Sequence, residues 1–205
     1  MHIEGIQYAF GPYLWSTELP KQIIDSLLNE GLKSEKDHRP SLAGIIEHER
    51  GYSKEYTIKF ANDISPYINQ YMNNGHNYFK NSNSRFQFLE RISLQSLWIN
   101  VMKKGECNPS HIHDGDLSFV IFLKVPEELA VEKLNYKGRS SGPGCIEFSY
   151  GEWNPHAITK NSFLPKTGQM FIFPASLQHS VNSFQSDVER ISVSGNFNFE
   201  YRQWN

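Results

Sequence analysis

The stretch Arg190-Ile191-Ser192-Val193-Ser194-Gly195-Asn196-Phe197-Asn198-Phe199 alternates between polar and apolar residues along most of its length. Successive side chains of a β-strand point to opposite faces, so this period of two predicts a strand with one polar and one apolar face. If the apolar face packs against helices or a second sheet, the polar face lines a concave interior with an arginine at its mouth. Such an interior is an anion pocket. The alternative is a surface strand whose polar face meets water.

Four more strand-like runs precede this stretch, and turn residues rather than helices separate them. Short strands at this spacing favour an antiparallel sandwich or a closed barrel of the jelly-roll kind. We therefore predict a mainly β fold with helices on one outer face. The predicted strands are residues 86–102, 117–125, 144–150, 168–173 and 190–199.

Two amphipathic helices are predicted before the first of these strands. In residues 17–32 apolar side chains recur at helical spacing, with Thr17 as the cap and Pro20 in the first turn. Residues 54–77 repeat the pattern, and Pro66 is expected to start a new turn or to bend that helix. Residues 34–51 are predicted to be a connecting loop, and the polar run at 81–84 marks the break before the strands.

Composition limits the class of protein. The chain has 205 residues and a formal net charge of −2, which leaves no basic field for nucleic acid or for an anionic membrane surface. No apolar run approaches the length of a membrane span, and the N-terminus lacks the pattern of a signal peptide. Only Cys107 and Cys145 are present, too few for a disulfide framework. We expect a soluble protein of the cytoplasm, made of a single domain.

Two histidine motifs carry the possible chemistry. His111 and His113 lie two residues apart in the segment between two predicted strands, so on an extended chain both imidazoles point to the same side, as in a chelate. The alternative is a polar turn with two solvent-exposed histidines. His179 follows the aromatic strand that ends at Pro174, although a lone histidine there is also compatible with a satisfied core or edge residue. The chain's other histidines, including His38 and His48, are interpreted as surface or loop residues.

Taken together, these segments resemble the Fe(II)/2-oxoglutarate-dependent oxygenases. That superfamily carries His-x-Asp or His-x-Glu, then a distal His, then an Arg or Lys commonly followed two residues later by Ser. Here His111, His113 and His179 are followed by Arg190 and Ser192. More narrowly, the pattern is similar to the small prolyl-hydroxylase-like oxygenases with a His-x-His signature. The resemblance covers residues 94–199, and the N-terminal third matches no motif.

The resemblance implies a fold, a reaction and a set of site residues. The fold is a double-stranded β-helix formed by residues 85–205, a cupin-like jelly roll, on which residues 1–84 pack as a helical N-terminal portion. The reaction is a dioxygenase reaction that uses Fe(II) and 2-oxoglutarate and releases succinate and CO₂ while it hydroxylates an amino-acid, peptidyl or other small substrate. By analogy, His111, His113 and His179 hold the metal, while Arg190 and Ser192 bind 2-oxoglutarate. Asn100 lies on the same strand face as Trp98 and is a candidate contact of 2-oxoglutarate or of a metal-bound ligand, or alternatively an amide that pairs with a neighbouring strand.

The sequence departs from the superfamily pattern at His113, where most members carry a carboxylate. Three neutral imidazoles would leave the metal centre one charge more positive. Asp114 and Asp116 are close enough in sequence to be alternative ligands, but a shift of one residue places Asp114 on the opposite side of a straight strand unless a bulge intervenes. The sequence also leaves two other functions open: a cupin-like metalloprotein that does not use 2-oxoglutarate, and a catalytically silent β-barrel binding module.

Overall fold

The computed structural model describes residues 5–8, 11–41, 43–79 and 89–201. The described residues form three helices and a series of antiparallel strands. The helices are α1 (Lys21–Lys33), α2 (Lys54–Phe79) and α3 (Glu128–Asn135). The strands are β1 (Gly5–Tyr8), β2 (Leu14–Glu18), β3 (His48–Gly51), β4 (Leu89–Met102), β5 (Asn108–His111), β6 (Leu117–Lys124), β7 (Ile146–Ser149), β8 (Lys160–Phe163), β9 (Gln169–Pro174), β10 (Gln178–Val181) and β11 (Arg190–Tyr201).

The strands form two sheets. The larger sheet has the order β1-β2-β9-β6-β11-β4-β3, and the smaller has the order β5-β10-β7-β8. Strands distant in sequence are neighbours in both sheets, and every strand pair is antiparallel, as in a jelly roll. The predicted fold class, a mainly β jelly roll, is confirmed.

Strand β11 lies inside the large sheet, and its two faces are used as the alternation predicts. Ile191, Val193 and Phe197 are buried in an apolar core together with residues of α1 and α2. Arg190, Ser192 and Ser194 are buried on the opposite face and line a cavity. The polar face of β11 therefore forms an interior wall, and the alternative of a solvent-facing strand is wrong.

A second apolar core fills the space between the sheets at one side of that cavity. It is mostly aromatic, because Phe122 of β6, Phe148 of β7 and Phe171 and Phe173 of β9 pack together with aliphatic neighbours. The barrel thus has a dry, packed part and a polar, hollow part.

Both predicted helices are present with shifted boundaries. α1 begins at Lys21 and not near Thr17, because Thr17 belongs to β2, where it pairs with Met170 of β9. α2 runs through Pro66 as one helix. Proline has no N–H to donate to the carbonyl four residues before it. The Ser65 hydroxyl donates to that carbonyl, Asn62 O, at 2.9 Å instead.

Several elements were not predicted from the sequence. The N-terminal portion, expected to be helical, also supplies strands β1, β2 and β3 to the large sheet. Strands β5, β8 and β10 and helix α3 are likewise additional. The break at 81–84 and the first residues of the predicted strand 86–102 lie outside the described residues, so the division between 84 and 85 stays a prediction. No helix in the described part of the chain combines the length and apolar character needed to cross a membrane.

Gly195, in the middle of β11, lies where the large sheet is closely packed. A Cβ atom at this position would lie 2.5 Å from Phe119 Cζ and 2.7 Å from the Ser96 carbonyl oxygen. We expect Gly195→Ala to lower the free energy of unfolding by about 1–3 kcal/mol, because a ring and the backbone would both have to move. Urea denaturation followed by circular dichroism measures this change.

Gly51→Ala in β3 is the matched control. Its added Cβ would meet only the flexible Lys36 side chain at 3.3 Å and the His38 ring at 3.7 Å among its nearest neighbours. We expect a change within about 0.5 kcal/mol for this variant. Equal stability of the two variants would contradict the packing described for β11.

Candidate metal centre

The hollow part of the barrel is a cavity of about 430 Å³ between the two sheets. The inner faces of β4 and β11 form one wall of the cavity. Strands β5 and β10 of the small sheet contribute histidines to the lining of the cavity. Four buried side-chain atoms that have no hydrogen-bond partner among the described residues belong to residues that line this cavity. Buried polar atoms are nearly always paired in proteins, so this concentration indicates a site built for ligands. The four atoms are Glu49 Oε2, Asn100 Oδ1, Asn108 Oδ1 and Arg190 Nε.

His111 and His179 face each other across the small sheet. They are direct partners in the antiparallel pairing of β5 with β10, and their ring centroids are 4.2 Å apart. His111 Nδ1 lies 2.7 Å from the Pro109 carbonyl oxygen, and His179 Nδ1 lies 2.9 Å from the Leu177 carbonyl oxygen. A carbonyl only accepts, so the proton of each ring is on Nδ1. Each Nε2 therefore keeps a lone pair for a metal ion, the orientation usual for metal-binding histidines.

His113 completes the cluster from just beyond the end of β5. Its backbone N–H donates to the Ala175 carbonyl at 3.0 Å, and its Nε2 lies 3.0 Å from His179 Nε2. Ligand nitrogens of all three histidines lie within 4.8 Å of one another. Two nitrogen ligands about 2.1 Å from one ion and at a right angle to each other are about 3.0 Å apart, which matches the closest pair.

Burial lowers the pKa of all three imidazoles. The pKa of His179 falls to about 3 and that of His113 to about 4, with burial as the main cause and the neighbouring imidazoles as the second. Burial also lowers the pKa of His111, against an opposing effect of its hydrogen bond to Pro109. All three rings are therefore neutral at pH 7, which is the form that binds a transition metal.

The two aspartates considered as alternative ligands lie outside the cluster. Asp116 is exposed, and its Oδ2 accepts a hydrogen bond from the Phe199 N–H at 2.8 Å, which ties the turn to β11. Asp114 is exposed on the cavity wall. In the described residues the three histidines form a group that could hold a metal ion without a carboxylate.

Arg190 places a buried positive charge on the opposite wall of the cavity. The residue is 2% exposed, its Nη1 donates to the Gly144 carbonyl at 3.0 Å, and its guanidinium lies 5.2 Å from the centre of the Phe122 ring. Burial lowers its pKa to about 10, so the group remains protonated at neutral pH. No carboxylate of the described residues lies within 4.0 Å of it. A buried cation of this kind calls for an anionic ligand.

Ser192 and Asn100 lie next to Arg190 on the same wall. They are direct cross-strand partners in the pairing of β11 with β4, and both are buried. Asn100 Oδ1 has no hydrogen-bond partner among the described residues. The structure therefore brings together all six residues that the sequence proposed for metal and cofactor.

Two cavity residues were missed from the sequence. His38, interpreted as a surface residue, is half-buried, and its ring stacks on Trp98 with centroids 5.1 Å apart. Glu49 of β3 is 1% exposed, and burial raises the pKa of its carboxyl to about 8. Residues 34–51 were predicted to be a connecting loop from their proline, glycine and histidine content. The inward face of β3 carries a carboxyl and a glycine, so the strand lacks an apolar alternation that would have revealed it. The other histidines of the described residues do not line the cavity.

The sequence is similar to a known family over much of this barrel. The model of the family described as "Putative 2OG-Fe(II) oxygenase" matches residues 96–197, just under half of the chain. The matched segment contains the three clustered histidines, Asn100, Arg190 and Ser192. No curated protein matches the chain.

Solved structures are similar to the chain in fold. A viral collagen prolyl hydroxylase from Paramecium bursaria Chlorella virus-1, in complex with 2-oxoglutarate, is 13% identical with a TM-score of 0.55, over 91% of this chain and 96% of that chain. A 2OG-Fe(II) oxygenase family oxidoreductase from Burkholderia pseudomallei is 14% identical with a TM-score of 0.54, over 89% and 84%. HygX from Streptomyces hygroscopicus, with nickel and 2-oxoglutarate bound, is 8% identical with a TM-score of 0.52, over 90% and 82%.

The choice between a histidine and an aspartate as third ligand is testable by metal titration. We expect His113→Ala to weaken Mn(II) binding by about 100-fold or more, because it removes one of three converging nitrogens. Asp114→Asn, on the same turn, should leave the affinity unchanged. Isothermal titration calorimetry without oxygen measures both affinities. A loss of affinity in Asp114→Asn with retention in His113→Ala would contradict the three-histidine centre.

Proposed function

We propose that this chain, a member of the Fe(II)/2-oxoglutarate-dependent oxygenase superfamily, performs its reaction in the cavity between the two sheets. It is a 2-oxoglutarate-dependent dioxygenase whose cofactors are Fe(II) and 2-oxoglutarate. One observation carries the assignment of the site. Three neutral imidazoles converge in the same cavity as a buried guanidinium that has no carboxylate partner in the described part of the chain.

His111, His113 and His179 are the proposed metal ligands. The Pro109 and Leu177 carbonyls fix the rings of His111 and His179 through their Nδ1–H groups, so both Nε2 atoms are oriented before a metal binds. A centre of three imidazoles carries no protein charge. It is one charge more positive than a centre of two histidines and one carboxylate, so we expect it to hold Fe(II) less tightly.

Arg190 is the proposed partner of the distal carboxylate of 2-oxoglutarate. A planar guanidinium can bind a carboxylate through two parallel hydrogen bonds, and in a buried site these charge-assisted bonds are strong. The unpartnered Nε is one of the donors that such a carboxylate would accept from. Ser192 and Asn100 offer a hydroxyl and an amide on the same wall for the rest of the molecule.

The protein's task in the reaction is placement and the exclusion of water. When bound, Fe(II) and 2-oxoglutarate supply the activation of O₂ that couples release of succinate and CO₂ to hydroxylation of a substrate C–H bond. Val120, Ile146 and Phe173 form apolar parts of the cavity wall beside the polar residues. They keep the guanidinium in a medium of low dielectric constant, where its attraction for an anion is greatest.

We propose an amino-acid, peptidyl or other small substrate. The net charge of −2 supports this class over nucleic acid, because it provides no field for a phosphate backbone. Both cysteines of the chain are free thiols, which fits a reducing compartment such as the cytoplasm.

The role of Arg190 is tested by the charge-transfer absorption of Fe(II) with 2-oxoglutarate. The wild-type protein should give a weak visible band under anaerobic conditions, because the keto acid chelates the metal. We expect Arg190→Ala to remove the band at 2-oxoglutarate concentrations that saturate the wild type, while Mn(II) binding persists. Arg190→Lys should restore part of the affinity, since it keeps the charge and loses the planar pair of donors.

Arg139→Ala is the matched control, because Arg139 is exposed and does not line the cavity. Circular dichroism and Mn(II) titration show whether each variant is folded. A metal-loaded wild type that gives no band would contradict the use of 2-oxoglutarate. A band that survives in folded Arg190→Ala would contradict only the role of this residue.

A further inference from the structure

Glu49 lies on the cavity wall two strands away from the strand that carries Arg190. In the large sheet, Glu49 of β3 pairs with Asn100 of β4, and Asn100 pairs with Ser192 of β11. The three residues thus form one row across the inner face, and all three line the cavity. Glu49 is 1% exposed, and its Oε2 has no hydrogen-bond partner among the described residues.

The protein provides no cation for this carboxyl. No Lys, Arg or His nitrogen of the described residues lies within 4.0 Å of its oxygens. Arg50, its neighbour in sequence, uses Nη1 to donate to the backbone carbonyl of Glu49 at 3.0 Å, and it also lies 3.6 Å from Asp37. A buried carboxyl without a partner costs stability, so its position in a ligand cavity points to a ligand group that pairs with it.

Arg190 does not pair with it, since no nitrogen of Arg190 lies within 4.0 Å of the Glu49 carboxyl. Arg190 pairs with Met102, two residues along β4 from Asn100, and β3 is two strands away from β11. With about 4.8 Å between strands and about 3.4 Å per residue, the two Cα atoms are about 12 Å apart. The cavity therefore has a cationic end at Arg190 and a separate acidic end at Glu49.

Aromatic rings lie beside the acidic end. Trp98 is two residues before Asn100 on β4, is 6% exposed, and stacks against His38 with ring centroids 5.1 Å apart. Burial lowers the pKa of His38, so its ring is neutral at pH 7. Trp98 also meets His113 edge to face, with ring centroids 5.4 Å apart. Aromatic faces next to a carboxylate favour organic cations, which interact with both.

We propose that Glu49 binds a cationic nitrogen of the substrate, an ammonium or guanidinium group, and so selects basic amines or basic amino-acid side chains for hydroxylation. The inference rests on the proposed function and adds the substrate class to it. Burial raises the pKa of the Glu49 carboxyl to about 8, so without a cation beside it the group is mostly protonated at pH 7. A bound ammonium or guanidinium group lowers that pKa, so the carboxyl releases its proton to solvent and pairs with the cation. Trp98 and His38 cover the alkyl stem of the substrate. Glu49 is a positioning residue, because it holds the far end of the substrate and does not touch the reacting carbon.

The test uses pairs of probes that differ in charge and little in shape. Nα-acetyl-L-arginine amide is compared with Nα-acetyl-L-citrulline amide, and Nα-acetyl-L-lysine amide with Nα-acetyl-L-norleucine amide, so that only a side chain can carry a cation. Each is titrated anaerobically into the wild-type protein loaded with Fe(II) and 2-oxoglutarate, and binding is followed by the shift of the charge-transfer band. Succinate formation after addition of O₂ gives a second measurement for each probe.

We expect at least one cationic probe to bind about 10- to 100-fold more tightly than its neutral counterpart, as a charge-assisted pair in a buried site implies. Glu49→Gln should abolish this difference while the band formed before addition of probe remains. Glu49→Asp, which keeps the charge on a shorter stem, should retain part of it. Glu47→Gln is the matched control, because Glu47 is exposed and does not line the cavity.

Three results would overturn the inference: equal binding of charged and neutral probes, no binding of either cationic probe, or an unchanged preference in folded Glu49→Gln. Each leaves the charge-transfer band of the wild type intact, so the proposed function would stand. Absence of the band from the wild type before any probe is added would instead refute the proposed function, and this inference with it.

Discussion

The rest of the site depends on a guanidinium inside a β-barrel, to which the residues that the structure describes offer no carboxylate. Removing a charged group from water costs several kcal/mol even after the protein relaxes. A fold therefore keeps such a group only if other interactions offset this desolvation free energy. The protein itself offers Arg190 one carbonyl and the face of one ring. The remaining compensation has to come from an anion that enters the cavity. The same desolvation that destabilises the unliganded guanidinium makes its attraction for that anion strong.

Strand β11 contributes residues both to the apolar core and to this site. Its apolar face joins the helices to the sheet, and its polar face carries Arg190 and Ser192 into the cavity. Because the side chains alternate strictly, a register slip of one residue would bury the polar set against α1 and α2 and expose the apolar set to the cavity. The packing of the helices therefore fixes the orientation of the cofactor residues, which explains why a cationic residue can be held so deep in the fold.

The sequence predicted best where the pattern is local. The alternation in β11, the spacing of His111 and His113, and the position of His179 after an aromatic strand each lie within a few residues, and all of them converge in the structure. Glu49 and His38 were missed because their burial depends on pairing of β3 with β4 and on stacking against Trp98, which are contacts between distant segments. Strand β2 was missed for the same reason, since its partner β9 lies about 150 residues later.

The two charged ends of the cavity lie on strands that are hydrogen-bonded to the same strand, β4. Their separation is therefore set by strand spacing and register, which vary little, and it does not depend on the conformation of a loop. The substrate is held by Glu49 and the cofactor by Arg190. The sheet therefore fixes the distance between the bound cation and the carbon that reacts. A basic group on a stem of the wrong length would reach Glu49 with a different carbon near the metal centre. Side chains on one rigid sheet thus select both the charge of the substrate and the position of the carbon that reacts.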